Sequence, residues 1–328
     1  MAFVIGIDEA GYGPNLGPLA IGGTLWHVPG FDQQTDLYEL LSPVVCRPAD
    51  PHRQQLTRSM AVGDSKLLYS SRGRLQGLEL PVLVISGFSP DRPATAPALI
   101  SRLTGEPAAC LLAQPGYDWS RVAVPVDASP QRIGLLRELL GHQVDASGAR
   151  CLRVRARLVF PDAWNQGLQE FGNKASLLGV MSCRLVRQLL DDPAIGERPA
   201  EPVFVYCDKQ GGRSRYAALI QQEITGDLVS VHHESRPSSS YGWKADGRKY
   251  RILFSSGGES QLPVALASMT AKYLRELSMR AWNEFWQLRL PGLRPTAGYP
   301  VDARRFRADI SGTRQQLQIP EQTIWRNR

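Results

Sequence analysis

Two acidic groups stand where chemistry could be built. Asp8 and Glu9 follow the apolar run Ala2–Ile7 and precede Gly11 and Gly13. Asp208 follows a second apolar run, PVFVYC, and precedes Gly211 and Gly212. Carboxylates at the ends of buried strands are natural ligands for a hard cation such as Mg²⁺, and neighbouring glycines let a backbone approach a ligand closely. Adjacent side chains on a strand face opposite ways, so Asp8 and Glu9 serve one site only if the strand ends there. Each carboxylate alone is equally an ordinary polar strand end, and its loop position is weak functional evidence. Other groups promise less. His232 and His233 are adjacent and would face opposite sides of a strand, which argues against a shared transition metal. Ser238, Ser239 and Ser240 read as a loop. Trp282, Phe285 and Trp286 have helical spacing and read as core.

The elements that must position these groups alternate in type. Strands are expected at Ala2–Ile7, Leu16–Val28, Cys151–Phe160, Pro202–Cys207 and Asp227–His233, the first two forming an antiparallel hairpin. Helices are expected at Lys174–Leu190 with Asn173 as cap, at Arg215–Ile224, and at Leu262–Trp286 with Pro263 in its first turn. Such alternation implies an α/β fold. Residues 89–148 are rich in Pro, Gly and Ala and read as an inserted lobe, leaving residues 1–88 and 149–328 as the main domain. Within 234–259, the sequence GWKADGRKYRILF has a D-G turn and reads as an added β-hairpin.

Composition sets the boundaries. The chain has 328 residues, 43% hydrophobic and 21% charged, which is globular and excludes a disordered or fibrous protein. The start, MAFVIGIDEAG, lacks a basic leader segment and reads as a strand, not a signal peptide. No apolar stretch is long enough to span a membrane. Five scattered cysteines without a CxxC pair favour a reduced, cytoplasmic setting over a disulfide framework or zinc site. The formal net charge is +7, compatible with a nucleic-acid partner.

Six segments, in order, resemble the type 2 ribonuclease H (RNase HII) family. GIDEAGYGPNLGPLAIGG (6–23) is similar to that family's opening GIDEAGRGPLAGPVV, and GDSKLL (63–68) to its DSKKL. FGNKASLLGVMSCRLV (171–186), VFVYCDKQGG (203–212), ALASMTAKYLRE (265–276) and GYP (298–300) resemble four later family stretches. Together they cover roughly a third of the chain, and the first and fifth are the specific ones. The resemblance implies a ribonuclease H-like mixed sheet flanked by helices. It implies an endonuclease that hydrolyses the RNA strand of RNA–DNA hybrids, or of duplex DNA containing ribonucleotides, with two Mg²⁺ or Mn²⁺ ions. Carried over by motif, the metal-holding catalytic carboxylates are Asp8, Glu9, Asp208 and Glu276. Asp8 would bridge both ions, Glu9 and Asp208 hold the one beside the leaving oxygen, and Glu276 the one that activates water. The nucleic-acid contacts implied are Gly11, Tyr12, Gly13, Lys66, Arg213, Lys272 and Tyr299.

This chain departs from the family pattern. The family's Gly-Arg-Gly is Gly11-Tyr12-Gly13 here, its HKGY is Thr296-Ala297-Gly298-Tyr299, and its fourth carboxylate is usually Asp. The segment between Asp64 and Asp208 is also longer. These departures leave a second reading: a nucleic-acid-binding protein that keeps the fold with lost or altered cleavage. A third is another two-metal phosphodiesterase. Further basic candidates for a nucleic-acid surface are Lys209 and Arg215; Lys244, Arg248, Lys249 and Arg251; and Arg304, Arg305 and Arg307, though for any one of them a solvated surface charge is the commoner role. Tyr241, Trp243 and Tyr250 would either stack on bases or pair across the hairpin.

Overall fold

The first strand, β1 (Ala2–Ala10), is buried along most of its length because it lies between two strands. It pairs antiparallel with β2 (Leu19–Val28) and in parallel with β4 (Val203–Asp208). With β3 (Arg150–Val159), β5 (Ser230–Glu234), β6 (Ser238–Ala245) and β7 (Arg248–Ser255) these make a seven-stranded mixed sheet in the order β3-β2-β1-β4-β7-β6-β5. The computed structural model describes residues 1–50, 57–69, 74–88, 94–210 and 212–327; Gly211 lies outside them. β1 runs to Ala10, three residues beyond the expected Ile7, because its ladder with β2 continues through Ala10↔Ala20. The hairpin β6–β7 turns at Asp246-Gly247, both at positive φ (49° and 78°), the backbone that a two-residue turn between twisted strands requires. Its second strand pairs in parallel with β4, so the hairpin extends the central sheet.

Helices cover both faces. On one side lie α3 (Pro161–Phe171), α4 (Lys174–Leu190) and α5 (Ala217–Glu223), packed through Trp164, Leu177, Leu185 and Ile220. Asn173 caps α4 as expected, accepting from the N–H groups of Ala175 and Ser176. On the other side α6 (Leu262–Arg289) crosses β1 and β2. Its close approach has a sequence cause. A Cβ on Gly6 would lie 2.2 Å from the carbonyl carbon of Pro263, and one on Gly22 2.0 Å from the Ala267 oxygen. Buried Thr24 fastens the same contact by donating to Pro263 O at 2.9 Å.

Helices α1 (Gln76–Ile85) and α2 (Pro130–Ser147) pack in the layer of α6. The described part of 89–148 adds no strand to the large sheet; its two-residue strands Ala94–Thr95 and Ala123–Val124 pair with each other. Leu111, Trp119, Val122, Ile133 and Leu136 share one core with Trp282 and Trp286 of α6. Buried Glu79 ties these parts together. It accepts from the backbone N–H groups of Val126, Asp127 and Ala128 at 2.6–2.8 Å and from the Tyr273 hydroxyl at 2.5 Å. Burial and the Glu79 carboxylate push that phenol well above its ordinary pKa.

Candidate active site

Asp8 and Asp208 meet because β1 and β4 are adjacent and parallel and their pairing stops just before both, although β1 itself continues beside β2 through Glu9 to Ala10. Ile7 pairs with Cys207, so the next residue on each strand is a carboxylate, on strands about 4.8 Å apart. Asp8 opposes Gly22, the position where α6 comes closest, and its carboxylate is therefore buried against that helix. Ser268 of α6 brings its hydroxyl beside Asp8. The same hydroxyl lies 2.6 Å from Glu259 Oε1. Glu259 sits in the one-turn segment Gly258–Ser260 that links β7 to α6.

The electrostatics identify the members of the cluster. Burial, then Glu9, then Asp208 and Glu259 hold the Asp8 carboxyl well above its usual range, while the nearby Ser268 hydroxyl works the other way. Glu9 is pushed up to about 7 by burial, then by Asp208 and Glu259. Asp208 is raised by burial while the Gly258 N–H, donating to its Oδ1 at 3.1 Å, works the other way. Asp8 thus feels Glu9, Asp208 and Glu259, and Glu9 feels Asp208 and Glu259. Lys66 is the cation that both Glu9 and Asp208 feel.

Glu276, the fourth carboxylate expected from the sequence, lies apart from them. It lies eight residues beyond Ser268 on α6 (276 − 268), about 12 Å along the axis. Its carboxylate is engaged there by Lys272 Nζ at 2.7 Å and by the Tyr69 hydroxyl at 3.1 Å. Lys272 is accordingly spent on Glu276 and on the Tyr69 ring, 4.9 Å from its Nζ.

Next to the carboxylates, the glycine loop 11–17 is held by two buried arginines. Arg275 donates to Leu16 O and Ala297 O. Arg326 donates to Gly11 O at 2.7 Å and Tyr12 O at 3.1 Å, and its guanidinium lies 3.8 Å above the Trp164 ring. Burial, and then the charge of Arg275, push Arg326 down to about 9. Gly11 has φ +84°, and a Cβ there would meet Arg275 at 2.3 Å, so its glycine is structural. Gly13 has open space around it. Tyr12 packs edge-on to Trp164 with Lys174 over its ring. Gly298, at φ +83°, accepts from the N–H of Asn15, which seats the 296–299 segment beside the loop and leaves Tyr299 exposed.

The other basic candidates divide. Arg213 lies near the Ser176 hydroxyl and the Tyr216 ring. Lys209 donates to Ser235 O, and Arg248 is buried against the carbonyls of Ile195 and Arg198, so Arg248 is a structural cation and not a surface contact. Arg305 pairs with Asp302 and Asp309, Arg307 with Glu321, and Arg215 weakly with Glu234. Trp243 and Tyr250 are a stacked cross-strand pair at 5.0 Å, and Tyr241 is fully buried, so these rings belong to the core.

The donor chemistry of the cluster suits a hard divalent cation: all oxygen, with an excess of negative charge that burial makes costly. As the side chains stand, no three His, Cys, Asp or Glu converge on one point suited to an ion among the described residues. Glu259 and Ser268 were not picked out from sequence. The signal was available: Glu259 is a carboxylate between a strand and a helix, next to Gly257-Gly258, the same setting that marked Asp208.

No protein-family model matches the chain, and no curated protein does. Solved structures similar to it include the PCNA:RNase HII complex from Archaeoglobus fulgidus, at 15% identity and TM-score 0.42 over 99% of this chain and 94% of that one. Ribonuclease H2 from Pyrococcus horikoshii is similar at 14% identity and TM-score 0.41, over 98% and 92%. Bst-RNase HIII in complex with Mn²⁺ is similar at 13% and 0.40; this chain covers 99% of itself and 66% of that protein. The architecture itself is a mixed α/β fold with a seven-stranded sheet flanked by helices, the class expected from the sequence.

Proposed function

We propose that this protein is a metal-dependent endonuclease of the ribonuclease H type, hydrolysing the RNA strand of RNA–DNA hybrids or of duplex DNA with embedded ribonucleotides. One observation carries the reading. The parallel pairing of the two central strands stops at Ile7 and Cys207, which sets Asp8 beside Asp208, and Glu9 and Glu259 add their charges there. Two Mg²⁺ or Mn²⁺ ions held by Asp8, Glu9, Asp208 and Glu259 would activate a water and neutralise charge on the leaving 3′ oxygen.

The chain's own groups divide the remaining work. The Ser268 hydroxyl lies beside Asp8 and gives its one proton to Glu259, which it orients. Lys66, exposed at the rim, meets the incoming phosphate. Arg275 and Arg326 fix the glycine loop, and the open space at Gly13 lets its backbone reach the ribose edge of a hybrid, where shape and the 2′-OH are read. Tyr299 is exposed beside that loop and offers a face to a sugar. Among the described residues no helix is long and apolar enough to cross a membrane. The five cysteines are free thiols, which suits a reducing compartment such as the cytoplasm.

The test is incubation with labelled RNA–DNA hybrid, duplex DNA carrying one ribonucleotide, and plain duplex DNA, each with Mg²⁺ or Mn²⁺. Cleavage of the RNA strand or at the ribonucleotide is expected, and EDTA should abolish it. Cleavage of plain duplex instead would indicate a DNA nuclease. No cleavage of any substrate would leave nucleic-acid binding without hydrolysis as the function.

A further inference from the structure

The sheet face that α6 shares with Asp8 and Asp208 continues beyond the helix over β4, β7 and β6. It carries two open grooves there, of about 660 and 170 Å³. Alternation along β4 puts Phe204 and Tyr206 on the same face as Asp208, while Val203, Val205 and Cys207 enter the opposite core. The register then assembles a surface across three strands. Arg251 pairs with Phe204 on one side and Gly242 on the other, and Lys249 directly opposes Lys244. His232 lies over Gly242, where a Cβ would be 2.6 Å from its Nε2, so the glycine lets the imidazole sit on the sheet.

Two facts give this surface a ligand chemistry. Two exposed lysines facing each other across a ladder repel and cost stability, unless an anion lies between them. Among the described residues neither is in an ion pair, and Asp227, at the groove's margin, is engaged by the Thr225 hydroxyl. Phe204, half-buried with one side of its ring against Phe31 at 5.1 Å, lines both grooves, and exposed Leu228 adds apolar wall to the larger one. Flat apolar groups joined by regularly spaced negative charges match an apolar floor with a cationic rim. A duplex hides its bases, and the backbone of a peptide carries no charge at each repeat.

We infer that this face is a binding platform for single-stranded nucleic acid, with bases on Phe204 and the groove floor and phosphates on Lys244, Lys249 and Arg251. The platform does not depend on the hydrolytic reading. Its test is fluorescence anisotropy in EDTA with a fluorescein-labelled oligothymidylate of about fifteen nucleotides. Wild-type affinity should fall linearly in log–log form with salt. The double variant Lys244→Gln/Lys249→Gln should bind about tenfold or more weakly, with a salt slope smaller by about 1.4, two contacts at about 0.7 each. Phe204→Leu keeps an apolar side chain of similar bulk and should weaken binding about tenfold through lost stacking. The inference is overturned if the wild type does not bind, if the double variant binds equally well, or if oligoglutamate or a blunt duplex of the same length competes as effectively as the single strand.

Discussion

Glu259→Gln against Glu276→Gln separates the site seen in the structure from the one implied by the motif. If Glu259 is a ligand, its loss should weaken divalent-ion binding more than loss of a supporting partner does, which typically costs about 10–100-fold. A divalent ion at about 100 times its dissociation constant stabilises the fold by about 2.7 kcal/mol; a 10-fold or 100-fold weaker site leaves about 1.4 or 0.4 kcal/mol at the same concentration. In EDTA the sign reverses. Glu9 titrates at about 7 in the fold against 4.5 ordinarily, a penalty of about 3 kcal/mol fully present above pH 7 and absent below pH 4.5. Glu259 is the third cause after burial and Asp208, so its neutralisation returns about 1 kcal/mol or less at pH 8 and nothing at pH 4. Glu276→Gln instead loses the Lys272 pair and the charge on the Tyr69 hydrogen bond, a destabilisation of about 1 kcal/mol with or without metal. The assay is thermal unfolding in EDTA and in Mg²⁺ or Mn²⁺, with hybrid cleavage alongside. Cleavage should collapse in Glu259→Gln and persist in Glu276→Gln. The reverse pattern would refute the assignment.

Asp8→Asn should abolish cleavage and metal-dependent stabilisation while leaving the EDTA form at least as stable as wild type, because it removes a buried charge beside three others; gel assays and melting curves in EDTA read both. Arg326→Met should leave global stability within about 1 kcal/mol, since an apolar chain over Trp164 offsets the lost hydrogen bonds, yet it should speed hydrogen exchange at Gly11–Asn15 and raise KM for hybrid more than it lowers kcat. Glu79→Gln should cost about 2–4 kcal/mol in urea unfolding, because an amide NH₂ would face backbone N–H donors that now share a carboxylate.

What was legible in the sequence follows from which interactions are local. The carboxylates that follow the apolar runs, Asp8 and Asp208, could be read because such runs are written in consecutive residues, and their meeting follows from a parallel pair in mid-sheet. Asn173 could be read as a cap for the same reason. Motif order placed Glu276 on the long helix, but one dimension of the chain cannot say which turn of a 28-residue helix faces the strand ends. That is decided by Gly6 and Gly22, which admit the helix backbone at Pro263 and Ala267 and so put Ser268, not Glu276, over Asp8. Once the crossing point is fixed, the carboxylate nearest the site must lie just before the helix, in the turn from β7, and Glu259 is there. Arg326 was illegible for a different reason. Its partners Gly11 and Tyr12 are more than three hundred residues away, and nothing in its neighbours marks it as buried. The C-terminal segment thereby becomes part of the loop that faces the site, so a change near residue 326 should be felt at Gly11–Gly13 before it is felt in the core.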